Sequence, residues 1–140
     1  MVKLGNEPIS DQIWEAISAE FTLPSLGQVS HRLSELMEDP QPVMQQLVRV
    51  FIDEGTFCPG FQFLAGGQLH PTVIDLFNRA MELKIPHNYF TLWMVTPSGS
   101  IGGSRPVDLL DSGPQPLFRG LETLGREQPP AANRSRSVGV

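Results

Sequence analysis

The stretch FTLWMVTPSGSIGGSRPVDLLDSG, Phe90 to Gly113, decides how the chain is read. It opens as the end of an apolar helix, breaks on glycine and serine, and resumes as Arg-Pro followed by a second apolar run. A phosphate loop of the Walker kind needs a lysine after its last glycine, and here Gly103 is followed by Ser104 and Arg105. A dinucleotide fingerprint needs G-x-G-x-x-G between a strand and a long helix, whereas the residues before this break have helical character. The glycines therefore read as a joint: they permit positive φ and close backbone approach, and Pro106 restarts a short helix carrying Val107, Leu109 and Leu110. Asp108 falls in its first turn, where a carboxylate suits the helix dipole. Arg105 is either solvated, bonded to the carbonyl end of the preceding helix, or an anchor for a partner.

Working outward, the pattern is mostly helical. Ser10 or Asp11 caps a first helix with Ile13, Trp14, Ile17 and Phe21 on one face. Ser25 with Gln28 forms a capping-box pattern, opening a second helix with Val29, Leu33, Leu36 and Met37 inward. After EDPQP a third helix starts at Pro42, turns Val43, Leu47, Val50 and Phe51 inward, and stops near Gly55. Phe61, Phe63 and Gly66-Gly67 suggest a small β-hairpin between Phe57 and Leu69. Pro71 starts a fourth helix with Val73, Leu76, Phe77 and Ala80 inward, Asn88 caps a fifth, and Leu117, Phe118, Leu121 and Leu124 form the apolar face of a last one. The expected fold is mainly α: a small helical domain with a helix-turn-helix-like N-terminal half and a short β-hairpin, winged-helix-like in outline. The divisions are residues 1–57, a helical helix-turn-helix-like region; 58–124, a second helical region; and 125–140, a tail of low apolar content read as disordered.

The chain has 140 residues, a net charge of −5 and 40 % hydrophobic residues, enough for one compact core. No apolar run approaches the ~20 residues of a membrane helix, and no secretory signal is visible, so the expected location is the cytoplasm. Charge is uneven. Between Ser10 and Phe63, Arg32 and Arg49 face eight acids (Asp11, Glu15, Glu20, Glu35, Glu38, Asp39, Asp53, Glu54), a net of −6. Duplex-binding surfaces need the opposite sign. A DNA-reading alternative nevertheless exists, with Gln41, Gln45, Gln46 and Arg49 outward on the third helix.

Chemistry-bearing patterns are sparse. Cys58, the one cysteine, cannot form an internal disulfide or a cysteine-based zinc site, and its apolar setting beside Pro59 fits plain burial. His31, His70 and His87 lack metal-ligand spacing, and His70 and His87 neighbour prolines, where turn roles fit. The acid pairs Glu38-Asp39 and Asp53-Glu54 read as solvated edges. No catalytic residue, cofactor or metal is expected.

The segments CPGFQFLAGGQLHPTVIDLF and NYFTLWMVTPSGSIGGSRPVDLLDSG, read together, resemble the toxin-binding domain of the Xre/MbcA/ParS-like antitoxins. The F-Q-F segment and glycine, a tryptophan-bearing helix, Thr96-Pro97, the Gly102-Gly103 joint, then Arg105-Pro106, Asp108, Leu109-Leu110 and Gly113 stand in the family's order, over Cys58 to Gly113; Ile101 replaces a usual leucine. The resemblance implies a helical domain, residues 58–124, that neutralises a cognate toxin, commonly a RES-fold protein that destroys NAD. It also implies an N-terminal helix-turn-helix that represses its own operon, and it leaves a homodimer open. The acidic N-terminal half and the Pro114/Pro116 segment depart from the family's pattern. Under this reading Arg105, Asp108, Phe118, Arg119 and the basic tail contact the partner, while operator DNA is the alternative ligand. Trp93, Leu109 and Leu110 belong to the core under the joint.

Overall fold

The computed structural model describes residues 9–127. It is mainly helical, with one two-stranded antiparallel hairpin, as the apolar periodicity implies. The helices are α1 (Asp11–Phe21), α2 (Leu26–Leu36), α3 (Gln41–Gln46), α4 (Pro71–Glu82), α5 (His87–Met94) and α6 (Gln115–Glu127), and the strands are β1 (Val50–Ile52) and β2 (Gly55–Phe57). Three expectations about boundaries are corrected. The third helix ends at Gln46 rather than near Gly55, because the next residues go extended. The hairpin is therefore Val50–Phe57, one element earlier than Phe57–Leu69. The last helix includes residues 125–127, which the sequence pattern assigns to the tail; the rest of that tail, residues 128–140, lies outside the described residues.

Two side-chain amides explain why the chain leaves the helix after Gln46. The Val48 N–H donates to Gln62 Oε1 (2.8 Å), and Gln62 Nε2 donates to the Val48 carbonyl (2.9 Å) and to that of Pro59 (2.9 Å). Three residues on, the Phe51 N–H donates to Asn88 Oδ1 (2.8 Å), and Asn88 Nδ2 donates to the Phe51 carbonyl (2.9 Å). Each amide supplies backbone partners that a neighbouring strand would otherwise give: Gln62 serves the extended residues just before β1, and Asn88 serves Phe51 on the edge of β1 that faces away from β2. Asn88 thus anchors β1 rather than capping α5, whose N-cap is Pro86. β1 pairs with β2 through Val50–Phe57, Phe51–Thr56 and Ile52–Gly55, and Asp53 in the turn takes a positive φ of 55°, which aspartate tolerates better than most residues.

The core has three parts. Under the hairpin lie Trp14 and Ile17 of α1 with Val50. Beneath α2 lie Val29, Leu33, Leu47, Cys58 and Leu69. The largest part joins Val73, Leu76, Phe77 and Ala80 of α4 to Phe90, Trp93 and Met94 of α5 and Leu117 and Leu121 of α6, with Leu110 below the glycine joint. Gly60 lets α1 dock on this assembly. A Cβ there would stand 1.7 Å from the Phe21 carbonyl oxygen, and the Gly60 N–H donates to the Thr22 carbonyl (3.0 Å). The α1–α2 link then runs beside the end of β2, where the Cys58 N–H donates to the Pro24 carbonyl (2.9 Å).

Candidate functional site

The joint at Phe90–Gly113 is a closed elbow. The Ser98 and Gly103 N–H groups close it across Ser104 and Ser98 (3.0 and 2.8 Å), a single helical turn covers Gly99–Ile101, and Gly102 and Gly103 take φ of 75° and 84°. Added Cβ atoms at Gly102 and Gly103 would meet nothing within 4 Å. These glycines serve dihedral angles alone, which corrects the expectation of close backbone approach at that point. The close approach is on α6: a Cβ at Gly120 would stand 3.1 Å from Ser100 Oγ, 3.4 Å from Ile101 Cγ2 and 3.5 Å from Trp93 Cζ2. The short helix restarted by Pro106 is a single 3-10 turn, Pro106–Leu109.

Arg105 leaves this elbow to clamp two carboxylates. Nη1 and Nη2 donate to Glu20 Oε1 (2.9 Å) and Oε2 (2.7 Å), while Nε and Nη2 donate to Asp108 Oδ2 (2.8 Å) and Oδ1 (3.0 Å). Its guanidinium carbon lies 5.8 Å from the Phe21 ring centre. The hydrogen bonds from Arg105 hold both carboxyls below their ordinary range and raise the guanidinium further. Of the four residues expected to contact a partner, the fold brings Arg105 and Asp108 together and engages them with α1. Phe118 is half-buried against the main core, and Arg119 is exposed on α6. Asp108 lies in the first turn of Pro106–Leu109, as expected, and its carboxylate is also gripped by Arg105.

For the DNA alternative, Gln41, Gln45 and Gln46 are exposed on α3. Arg49 is not on that helix. Its Nη2 donates to the Met44 carbonyl (2.8 Å) and its Nε is buried without a partner among the described residues, so its guanidinium is turned inward. That corrects the outward position expected of it. His70 has the turn role expected: Nδ1 accepts from the Thr72 N–H (3.2 Å) at the start of α4, and Nε2 lies 3.0 Å from Asp111 Oδ1. Cys58 is fully buried, and desolvation pushes its thiol up to about 11, far from a thiolate at neutral pH. Among the described residues, no group of three or more His, Cys, Asp or Glu side chains is placed to hold a metal ion, and no helix is long and apolar enough to cross a membrane.

An apolar-lined groove of about 470 Å³ lies between α2 and the segment Phe63–Gly67, with Thr22 and Pro24 also in its lining. The capping box fixes where α2 begins: the Gln28 N–H donates to Ser25 Oγ (3.1 Å) and the Ser25 N–H to Gln28 Oε1 (2.8 Å). That start turns Val29 and Leu33 into the core and leaves Arg32 and Leu36 along the groove. Leu36 is 45 % exposed, which corrects its expected place in the core. The opposite wall is a loop closed by Leu64 N–H to the Gln68 carbonyl (2.7 Å), with Gly66 and Gly67 at φ of 82° and 84°. A Cβ on Gly67 would stand 2.9 Å from Leu36 Cδ1, so glycine there keeps the groove floor low. Leu64, 42 % exposed, lines this wall. Pattern alone could not find the groove, because helical spacing fits an inward Leu36 equally well. The signal present in the sequence was the Gly66-Gly67 pair just after Leu64-Ala65.

The chain matches no protein-family model, no curated protein and no solved structure.

Proposed function

We propose that the protein is a non-catalytic binding module, antitoxin-like, that neutralises a partner toxin in the cytoplasm and uses the groove between α2 and Phe63–Gly67 to hold it. The observation that carries the binding reading is the pairing of Leu36 and Leu64, two large exposed apolar side chains, on opposite walls of one apolar-lined groove. A solvated surface scatters such residues singly; a docking groove gathers them. The toxin part rests on the sequence resemblance over Cys58–Gly113, which points to a RES-fold, NAD-degrading partner. In that frame the Arg105–Glu20–Asp108 clamp holds the elbow on α1 and thereby fixes the shape of the binding domain.

The test is co-expression with the product of the adjacent gene. Rescue of growth, co-purification, and loss of both with Leu36→Asp plus Leu64→Asp are the expected results. A neighbouring product that is harmless, or that is neither rescued nor co-purified, ends the reading.

The alternative, a winged-helix regulator reading operator DNA, draws on the order α2, α3, hairpin. It is the weaker reading, since Arg49 is spent on Met44 and the surrounding half of the chain is acidic. A retarded DNA complex at low salt, lost steeply as salt rises, would favour it.

A further inference from the structure

Among the described residues, the one charged residue lining the groove is Arg32, so the charges beyond its lining, at the C-terminal end of α2, say what kind of segment it takes; this step rests on the binding reading just given. Leu36 closes α2, and the last turn of that helix carries no basic residue. Glu35, Glu38 and Asp39 cluster at this end, and Met37 between them reaches the Gly67 position. The partial negative charge of the helix C-terminus falls at the same place. The exposed His31–Glu35 contact (3.5 Å) is the one ion pair found there among the described residues. The cation lining the groove, Arg32, lies one turn back toward the N-terminus of α2.

We infer that the occupant is an amphipathic helix of a partner protein that places leucine-type side chains between Leu36 and Leu64 and sets lysine or arginine over Glu35, Glu38 and Asp39. The run from Gln28 to Leu36 is about 12 Å long at the helical rise, which matches two to three turns of such a segment. Apolar anchors in the groove supply the affinity, and the acidic end selects the sign of the rim and the direction in which the helix lies. An acidic occupant would meet Glu35, Glu38 and Asp39 as like charges.

The test uses the full chain and a fluorescein-labelled synthetic amphipathic helix of leucine and lysine, with a leucine–glutamate counterpart and a scrambled leucine–lysine peptide of equal charge. Expected is saturable anisotropy for the leucine–lysine helix alone. Binding weakens at least about tenfold in Leu36→Asp plus Leu64→Asp, and several-fold, more at low salt, in Glu35→Lys plus Glu38→Lys. All four positions are solvent-exposed, and circular dichroism checks that each variant is folded. Three results overturn the inference: no binding below roughly 100 μM, equal binding of the glutamate or scrambled peptide, or binding unchanged in the leucine variants. A dimer in sedimentation equilibrium that Leu36→Asp dissolves would also overturn it, by assigning the groove to a second copy. Should co-expression fail while the peptide results hold, the toxin reading falls and the groove stands. Should growth rescue survive both leucine substitutions, neutralisation stands and the groove assignment falls.

Discussion

Arg105 and Glu20, 85 residues apart in the chain, meet through two parallel hydrogen bonds of 2.9 and 2.7 Å. The same guanidinium grips Asp108, so one side chain ties the C-terminal end of α1 to the elbow after α5. Lysine cannot reproduce this fork. Arg105→Lys and Arg105→Ala are both expected to lower Tm by a few degrees, with less effect at high salt because the group is partly solvated. The pH dependence has a fixed sign. Glu20 and Asp108 titrate lower in the folded chain than their unfolded values near 4. Their contribution is complete above those values and is lost as pH falls through the lower folded ones. The Tm gap between wild type and Arg105→Ala should therefore persist from pH 7 to 5 and close toward pH 3. A gap that widens in acid would contradict the clamp.

The glycines separate into two kinds, and substitution distinguishes them. At Gly60 an added methyl meets the Phe21 carbonyl at 1.7 Å, so Gly60→Ala is expected to cost about 3 kcal/mol or to prevent folding. At Gly102 the same methyl meets open space, and the cost is the left-handed dihedral alone, about 1 kcal/mol. Gly120→Ala is expected to cost least, since Ser100 and Ile101 need shift only by a few tenths of an ångström and alanine favours the helix interior by about 1 kcal/mol. Urea titration of the three variants tests the order; equal losses at Gly60 and Gly102 would refute it.

The helical part of this fold was legible because α1, α4 and α6 each carry a clean apolar stripe. Trp14 with Ile17, Val73 with Leu76, Phe77 and Ala80, and Leu117 with Leu121 are buried as their spacing requires. The stretch after Gln46 was not legible. Val43, Leu47 and Val50 satisfy a helical period, while Val48, Val50 and Ile52 satisfy a strand period just as well. The tie is broken by Gln62 and Asn88, which are 14 and 37 residues from their partners and leave no local trace. The elbow was legible as a joint, but its near neighbour Gly120 was hidden inside a helical pattern. The groove was hidden for a similar reason: burial of Leu36 depends on what faces it, and the facing loop is too short to cover it.

Gln62 is 1 % exposed and satisfies three backbone groups, so its removal should be severe. Gln62→Leu leaves the Val48 N–H and two carbonyls buried without partners, at about 1–3 kcal/mol for each group that water does not reach. Gln62→Glu offers a more discriminating test. The carboxylate can still accept from the Val48 N–H, but it faces the Val48 and Pro59 carbonyls with no proton to donate. Protonation restores one donor, so the folded-state pKa of the new acid is raised. Stability is then greatest below the unfolded value near 4.3 and declines as pH rises through the folded value. Gln62→Glu should therefore be less destabilised, relative to wild type, at pH 5 than at pH 8 in parallel urea titrations. The opposite trend would mean that the amide donor is not what Val48 and Pro59 require.

His87 supplies the converse case. Its half-buried ring packs edge-on against Phe77 (5.1 Å between ring centres) and tilted against Phe51 (5.4 Å), and its Nδ1 is buried with no partner among the described residues. Desolvation lowers its pKa; the Arg49 backbone works against that shift, and the Arg49 charge adds to it. A histidine whose folded pKa lies below the unfolded value near 6.5 leaves stability intact above that value and removes it as pH falls toward the folded one. The unfolded chain takes the proton first. Wild-type stability should therefore decline between pH 7 and 5. His87→Phe keeps an aromatic ring between Phe51 and Phe77, forgoes the Arg49 backbone contact at all pH values, and should flatten that decline. Urea midpoints of the two proteins across this range, with His31 and His70 unchanged in both, isolate the one imidazole. Parallel slopes would assign the acid sensitivity elsewhere, and a steeper slope in His87→Phe would show that the folded protein favours the charged ring.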